Sequence, residues 1–188
     1  MLDRREFVRE LLIDRGDLLI VTGLGAATFD VAAAGDHPLN FYLWGAMGGT
    51  AMVGLGLALA RPDRRVAVLT GDGDMLMGLG SLATIGVRQP KNLALVVLDN
   101  AHYGETGMQP SATHGGIDLV ATALACRFKY ACEVARLDET DEVRTRMRAG
   151  DGPIFIKARI RAEEAPQVLP LRDGHAIRHR FMAALKPA

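Results

Sequence analysis

Short runs of consecutive apolar residues alternate along the chain with segments in which apolar residues recur at helical spacing. The runs RVAVLT (65–70) and NLALVVLD (92–99) are apolar almost throughout, which is typical of strands buried on both faces of a sheet. Alternation of such strands with helices indicates βαβ units and a parallel sheet covered on both sides. The pattern therefore predicts an α/β fold, a three-layer sandwich with a mostly parallel six-stranded sheet between helices.

The predicted elements form one domain that spans residues 1–188. Strands are expected at 18–22, 39–44, 65–70, 92–99, 130–134 and 153–160. Helices are expected within the charged N-terminal segment 1–17 and at 29–34, 47–60, 79–88, 117–127 and 139–149. The remainder, 162–188, is expected to form an irregular connection and a C-terminal helix over 174–186. That last helix carries several basic residues, for which a solvated face is the simplest interpretation. The alternatives are docking on an acidic partner surface and closure over an anionic ligand.

Charge and composition argue against several classes of partner. Lys and Arg total 22, as do Asp and Glu, so the formal net charge of zero favours neither nucleic acid nor an anionic membrane. The longest apolar stretch, 51–60, is too short to cross a bilayer, and the N-terminal segment resembles an amphipathic helix rather than a signal peptide. Cys126 and Cys132 lack metal-ligand spacing and are expected to be reduced. We therefore expect a cytoplasmic protein with no nucleic-acid or membrane partner.

Oxygen-bearing side chains follow two neighbouring strands of the predicted sheet. Asp72 stands between two glycines directly after the strand 65–70, and Asn100 follows the strand 92–99. Because ligands of open parallel sheets bind at the carboxyl ends of the strands, both side chains are expected at one edge. Glycines beside Asp72 let the backbone approach an anion closely, and hard oxygen ligands beside phosphate suit Mg²⁺. The spacing therefore predicts a magnesium and phosphate site.

This stretch resembles the cofactor-binding motif of the thiamine-diphosphate-dependent decarboxylase superfamily, in which GDG is followed, one helix and one strand later, by N–N or D–N. The resemblance implies thiamine diphosphate and Mg²⁺ as cofactors. Carried over by position, the metal ligands are the side chains of Asp72 and Asn100 and the backbone carbonyl of His102.

A second segment, FYLWGAMGG (41–49), resembles the part of these proteins that holds the pyrimidine ring. Gly45 is expected to accept a hydrogen bond through its carbonyl, and Met47 is expected to act as an apolar wedge. The other cofactor contacts implied by the resemblance are Gly25, Ala26, Ala27, Gly71, Gly73, Asp74, Tyr103 and Gly104. Asp74 departs from the small Ser or Ala usual at its position, so its carboxylate is expected to point away from the phosphates.

The resemblance covers residues 15–160 and is closest to the separately encoded β subunits of sulfopyruvate decarboxylase and the matching domain of phosphonopyruvate decarboxylase. It implies decarboxylation of a 2-oxoacid, such as 3-sulfopyruvate to sulfoacetaldehyde plus CO₂. The glutamate that activates the cofactor in this superfamily belongs to a separate pyrimidine-binding domain, and no residue of this chain can be assigned its role. A pyrimidine-domain α subunit and a hetero-oligomer, α2β2 or larger, are therefore expected.

The loop after the predicted metal site supplies candidates for proton transfer or substrate contact, namely His102, Glu105 and His114. Within the superfamily, a phosphonopyruvate decarboxylase or a carboligase of acetolactate or acyloin type could use the same motifs. From a different class, the chain could be a non-catalytic module that keeps the cofactor pocket. A 2-oxoacid:ferredoxin oxidoreductase β subunit is less favoured because cysteine clusters are absent, and a dinucleotide-binding domain because GLGAAT does not complete GxGxxG.

Overall fold

The computed structural model describes residues 1–163 and 165–185, which form eight α-helices and eight strands. In chain order they are α1 (Arg4–Leu11), β1 (Leu19–Thr22), α2 (Ala26–Ala33), β2 (Asn40–Tyr42), α3 (Thr50–Ala60), β3 (Val66–Gly71), α4 (Asp72–Met77), α5 (Ser81–Arg88), β4 (Leu93–Asp99), β5 (His102–Tyr103), β6 (Gln109–Pro110), α6 (Leu119–Ala125), β7 (Tyr130–Val134), α7 (Thr140–Ala149), β8 (Ile154–Arg159) and α8 (Gly174–Ala184).

Six of these strands form one parallel sheet in the order β2-β1-β3-β4-β8-β7, while β5 and β6 form a small antiparallel ribbon. The predicted α/β architecture with a six-stranded parallel sheet is thereby confirmed. The chain runs outward from β1 to β2 on one side and from β3 to β4 on the other. The strand order therefore reverses between β1 and β3, and such a reversal is where open α/β sheets bind ligands.

The central strands alternate their side chains between two cores. Leu69, Val96 and Ile156 pack with residues of α1, α2 and α7. Val68 and Leu95, one position earlier, pack with residues of α3, α5 and α6 on the other face. All five side chains are fully buried, which explains why these strands appear in the sequence as uninterrupted apolar runs.

Helix starts differ from the expected positions where the backbone turns before the helix. The helix expected at 29–34 begins at Ala26, because Gly25 with φ 78° completes the turn after β1. The helix expected from residue 47 begins at Thr50, because Ala46 and Gly48 have positive φ. The crossover helix expected at 79–88 is two helices, since α4 starts directly at Asp72 and α5 follows a short break.

The C-terminal helix α8 covers the edge of the sheet rather than standing free in solvent. Phe181 packs edge-on against Phe41 with ring centroids 5.5 Å apart, and Arg180 pairs with Asp36 at 2.6 Å. The helix ends at Ala184, and residue 186 of the expected helix lies outside the described residues. Both cysteines are free and half-buried. In the described part of the chain, no helix combines the length and apolarity needed to cross a membrane.

Candidate functional site

A cavity of about 410 Å³ opens at the carboxyl ends of the central strands, where the strand order reverses. Three connections from neighbouring strands build its walls. The first turn of α2 follows β1, the Gly71–Asp74 segment follows β3, and Asn100 with His102 follows β4. The cavity therefore lies where the sheet topology favours ligand binding.

Most of the site residues expected from the sequence line this cavity, namely Ala26, Ala27, Met47, Gly71, Asp72, Gly73, Asp74, Asn100, His102, Tyr103, Gly104 and Glu105. Gly25, Gly45 and His114 are not among its lining residues. Gly25 lies directly behind Glu105 in the cavity wall. A Cβ on Gly25 would lie 2.7 Å from Glu105 Oε1, so the absence of a side chain at this position leaves room for Glu105. Gly45 and His114 are exposed, and the His114 ring lies 5.5 Å from the ring of His102, centroid to centroid.

Asp72 is buried at the bottom of the site with only 2% of its surface exposed. The Ser111 hydroxyl donates a hydrogen bond to Asp72 Oδ2 at 2.5 Å, and no described side chain donates to Oδ1. Burial raises the pKa of Asp72, and the charge of Asp99 raises it further, against the lowering effect of the Ser111 hydrogen bond. An ionised Asp72 therefore lacks a positive partner within the described chain, which suits it to bind a cation.

A polar network extends from Asp72 into the sheet. Thr113 Oγ1 lies 3.3 Å from Asp72 Oδ2 and 2.8 Å from Asp99 Oδ1. A hydroxyl has one proton to donate, and the shorter distance indicates that Thr113 donates it to Asp99. Ser111 and Thr113 are themselves 2.9 Å apart. Lys157 Nζ stands 3.9 Å from Asp99 Oδ2 and balances part of its charge. The network fixes the orientation of Asp72 from behind, as the partners of metal-binding carboxylates do.

Asn100 occupies a tight turn at the end of β4. Its Oδ1 accepts the backbone N–H of His102 at 2.9 Å, while His102 Nδ1 lies 2.8 Å from the Asn100 carbonyl. Ala101 between them has φ 61°, a conformation that is costly for a residue other than glycine. The turn holds the Asn100 amide and the following carbonyls beside the start of α4.

Asp74 carries out a structural role that the sequence did not reveal. Its carboxylate accepts hydrogen bonds from the backbone N–H of Gly48 and from the Thr70 hydroxyl, and only 6% of the residue is exposed. Gly23, in the loop after β1, lies close to this carboxylate. A Cβ on Gly23 would lie 2.9 Å from Asp74 Oδ2, so the missing side chain leaves the carboxylate its space. Asp74 thus connects the Gly48 loop, the end of β3 and the start of α4.

The donor set fits Mg²⁺ and a diphosphate. Asp72 and Asn100 offer side-chain oxygens to one cavity, which is the ligand chemistry that Mg²⁺ accepts together with phosphate oxygens and water. The first-turn N–H groups of α4 lack intrahelical partners and are available to an anion. A Cβ on Gly73 would lie 2.6 Å from the Tyr103 ring, so only glycine allows this backbone to pass beneath that ring.

Several lining residues were not among the candidates from the sequence, and Arg4 is the one described Lys or Arg among them. It belongs to α1, for which the sequence predicts only an amphipathic helix, and its Nε lies 3.1 Å from Asp30 Oδ2. The sequence does show the doubled Arg4–Arg5 at the start of a helix. It does not show that both face the buried Asp30, because that contact exists only once α1 packs against α2.

Comparison with known families gives a match that includes most of this site. The model of the thiamine pyrophosphate enzyme, C-terminal TPP binding domain, matches residues 23–158. The matched segment includes Asp72, Asn100 and the loops that surround the cavity.

Two kinds of curated relative resemble the chain. The sulfopyruvate decarboxylase subunit beta of Methanothermobacter thermautotrophicus is 35% identical over 100% of this chain and 98% of its own length. The phosphonopyruvate decarboxylase of Streptomyces viridochromogenes is 39% identical over 77% of this chain. The chain spans only 36% of that second relative's length.

Solved structures share the fold at low sequence identity. Benzoylformate decarboxylase from Polynucleobacter necessarius superposes with a TM-score of 0.72 at 21% identity, over 87% of this chain and 34% of that one. A 2-oxoglutarate:ferredoxin oxidoreductase chain from Magnetococcus marinus gives 0.68 at 17% identity, over 97% and 74%. These structures share the fold, and the family match over residues 23–158 shows that the chain belongs to the thiamine pyrophosphate enzymes and carries their C-terminal TPP-binding domain.

Proposed function

We propose that the chain is the cofactor-binding β subunit of a 2-oxoacid decarboxylase of the sulfopyruvate type, which converts 3-sulfopyruvate to sulfoacetaldehyde plus CO₂. The observation that carries this proposal is the match to three sulfopyruvate decarboxylase β subunits, at 32%, 34% and 35% identity and over nearly the whole of both chains. Thiamine diphosphate and Mg²⁺ are the cofactors. The proposed complex is cytoplasmic.

Metal binding is assigned to the deepest part of the cavity. Asp72 supplies a carboxylate oxygen, Asn100 its amide oxygen and His102 its backbone carbonyl. Gly71, Gly73 and the Asp74 backbone cradle the diphosphate at the start of α4. The support for this assignment is that all six residues line one cavity and that Ser111 donates a hydrogen bond to Asp72.

When bound, thiamine diphosphate supplies the electron sink that decarboxylation of a 2-oxoacid requires. The residues of this chain orient and enclose the reacting groups. The ring of His102, tied through Nδ1 to the Asn100 carbonyl, leaves Nε2 available to hold or pass a proton. Glu105 lines the same cavity and stands against Gly25, from where its carboxylate can exchange a proton with substrate or water.

The second half of the active site is assigned to a pyrimidine-domain α subunit. We assign the docking surface for this subunit to the exposed apolar side chains of α3, α4, α5 and the loop before α3, namely Met47, Met52, Val53, Leu59, Met77 and Val87. Exposed apolar patches of this kind are typical of interaction surfaces. Met47 belongs both to this surface and to the cavity, so a partner seated on it would also close over the site.

A second candidate substrate is 3-phosphonopyruvate, favoured by the 39% identity to a phosphonopyruvate decarboxylase. The two substrates share a 2-oxoacid and a second, strongly acidic group. They differ in the charge and shape of that second group.

The direct test is to purify the chain with the product of a neighbouring gene that encodes a pyrimidine-binding domain. The complex, with thiamine diphosphate and Mg²⁺, is then assayed for CO₂ release from 3-sulfopyruvate, 3-phosphonopyruvate and pyruvate. Preferred turnover of 3-sulfopyruvate supports the proposal. Preferred turnover of 3-phosphonopyruvate reassigns the substrate, and carbon–carbon bond formation without net release of aldehyde reassigns the chain to the carboligases.

A further inference from the structure

The charge around the cavity is unevenly distributed. Four acidic residues line it, Asp72, Asp74, Glu105 and Glu163. The Asp74 carboxylate is bound by Gly48 and Thr70, and Glu163 is paired with Arg161 at 3.1 Å. Arg4 is the one Lys or Arg among the described lining residues. A bound diphosphate adds further negative charge. A divalent cation neutralises only two units of it, so negative charge remains in the cavity. A guanidinium at this wall is therefore the natural counter-charge for an oxyanion.

The packing around Asp30 holds Arg4 in place. Asp30 is fully buried and interacts with two arginines, through Arg4 Nε at 3.1 Å and through the Nε and a terminal nitrogen of Arg5, each at 3.2 Å. One carboxylate thus serves two guanidinium groups. The nearby Arg161 is shared between two carboxylates, Asp3 at 3.0 Å and Glu163 at 3.1 Å. Counted on its own, the Arg4–Arg5–Asp30 cluster carries one positive charge in excess.

The two arginines differ in what their terminal nitrogens do. Arg5 donates from its terminal nitrogen to the Pro166 carbonyl at 2.7 Å and does not line the cavity. Arg4 has a side chain that is only 12% exposed, and no described residue accepts a hydrogen bond from its terminal nitrogens. The excess charge of the cluster is thereby presented at the cavity by Arg4.

We propose that Arg4 is an oxyanion-binding residue of this cavity. Its ligand is either a phosphate oxygen of the diphosphate or the second acid group of the substrate, since both present the oxygen pair that a guanidinium fork binds. The proposal takes the identity of these ligands from the proposed function. It adds that part of the anion recognition resides in the β subunit itself, on a helix outside the family's matched segment 23–158.

The test compares Arg4→Gln with the matched control Arg5→Gln in the full chain, because each variant removes one of the two partners of Asp30. Calorimetry with Mg²⁺ and inorganic pyrophosphate measures anion binding, and thermal melting measures the shared cost to folding. If Arg4 binds the diphosphate, Arg4→Gln weakens pyrophosphate binding about tenfold or more, while Arg5→Gln leaves it close to wild type.

The second arm uses the assembled complex with its partner subunit. If Arg4 binds the acid group of the substrate, pyrophosphate binding is unchanged, and Arg4→Gln raises KM for 3-sulfopyruvate without raising KM for pyruvate. The proposal is overturned if Arg4→Gln changes neither quantity, or if Arg5→Gln changes them as much. Should Arg4→Gln not fold, Arg4→Lys keeps the ion pair but loses the fork, and unaltered binding and KM in that variant overturn the proposal.

The results that overturn the proposed function differ from those that overturn only the role of Arg4. A wild-type chain that binds no pyrophosphate, in a complex without turnover, overturns that function and this role of Arg4 together. Wild-type binding or turnover that is insensitive to Arg4 overturns only the role of Arg4.

Discussion

The carboxylate of Asp74 accepts a hydrogen bond from the backbone N–H of Gly48, which ties the loop before α3 to the helix that begins at Asp72. The two segments are 26 residues apart in the chain, yet they form adjoining walls of one cavity. The Thr70 hydroxyl donates to the same carboxylate. The position of the Met47 loop and the position of the proposed metal site are therefore linked through one buried side chain.

Replacing Asp74 with Ala should destabilise the chain. The substitution leaves the Thr70 hydroxyl and the Gly48 N–H without their acceptor, which costs about 1–3 kcal/mol for a buried polar group. Asp74→Asn keeps an acceptor and should cost less. Chemical denaturation gives both values, with the exposed Asp63→Ala as control. An Asp74→Ala variant as stable as wild type would show that the Gly48 contact contributes nothing.

The proposed metal ligands should control cofactor binding. We expect thiamine diphosphate to bind the assembled complex only with Mg²⁺, and we expect its affinity to collapse in Asp72→Ala and to fall in Asn100→Ala. Asp72 lies in the cavity and has no positive partner among the residues that the structure describes, so its removal takes away the main attraction for the cation. Calorimetry with and without a chelator measures this, and wild-type affinity in Asp72→Ala would disprove the assignment.

Ser111 should act through Asp72. Its hydroxyl donates to Asp72 Oδ2 at 2.5 Å, so Ser111→Ala frees the carboxylate to rotate. Loss of such an orienting partner typically costs about 10- to 100-fold in metal affinity. Mg²⁺ titration, followed by cofactor binding, checks the effect. The neighbouring exposed residue Ala112 provides the control as Ala112→Ser, which should bind like wild type.

Acid should weaken the attachment of α8. Partial burial raises the pKa of Asp36, but the hydrogen bonds from Arg180 and Tyr42 outweigh this and hold the pKa below the usual range of an Asp carboxyl. A lowered carboxyl pKa adds stability that is present above about pH 4 and is lost as the pH falls through the folded-state pKa.

Arg180→Gln tests this pH dependence. Since the pair is partly exposed, the variant should lose less than about 1 kcal/mol of unfolding free energy at pH 7. The difference from wild type should shrink below pH 4, and the exposed Arg178→Gln should show no such change. A difference that stays constant with pH would mean that Asp36 is not the partner responsible.

The sheet could be predicted from sequence because its strands are buried on both faces. The run 92–99 becomes β4 (Leu93–Asp99), and 130–134 becomes β7 without change. Helix starts were less predictable. Nothing in GDG suggests that a helix begins at Asp72, because Gly and Asp are weak helix formers, and the acidic residues of its first turn stabilise it only through the helix dipole.

The residues of the proposed site were likewise predictable from the sequence only in part. Asp72 and Asn100 could be placed together because strand order and the carboxyl-edge rule locate them. The roles of Asp74 and Arg4 could not, because each depends on a contact between segments distant in sequence, Asp74 with Gly48 and Arg4 with Asp30. Local spacing carries no information about such contacts.

The most direct test of the central claim, that this chain holds one half of a two-subunit decarboxylase site, is CO₂ release by residues 1–188 saturated with thiamine diphosphate and Mg²⁺. We predict no release from 3-sulfopyruvate, 3-phosphonopyruvate or pyruvate by the chain alone. Addition of the pyrimidine-domain subunit should restore turnover, and replacement of that subunit's activating glutamate should abolish it. Sustained decarboxylation by the isolated chain would contradict the account, and Glu105 in the cavity wall would then be the first carboxylate to replace.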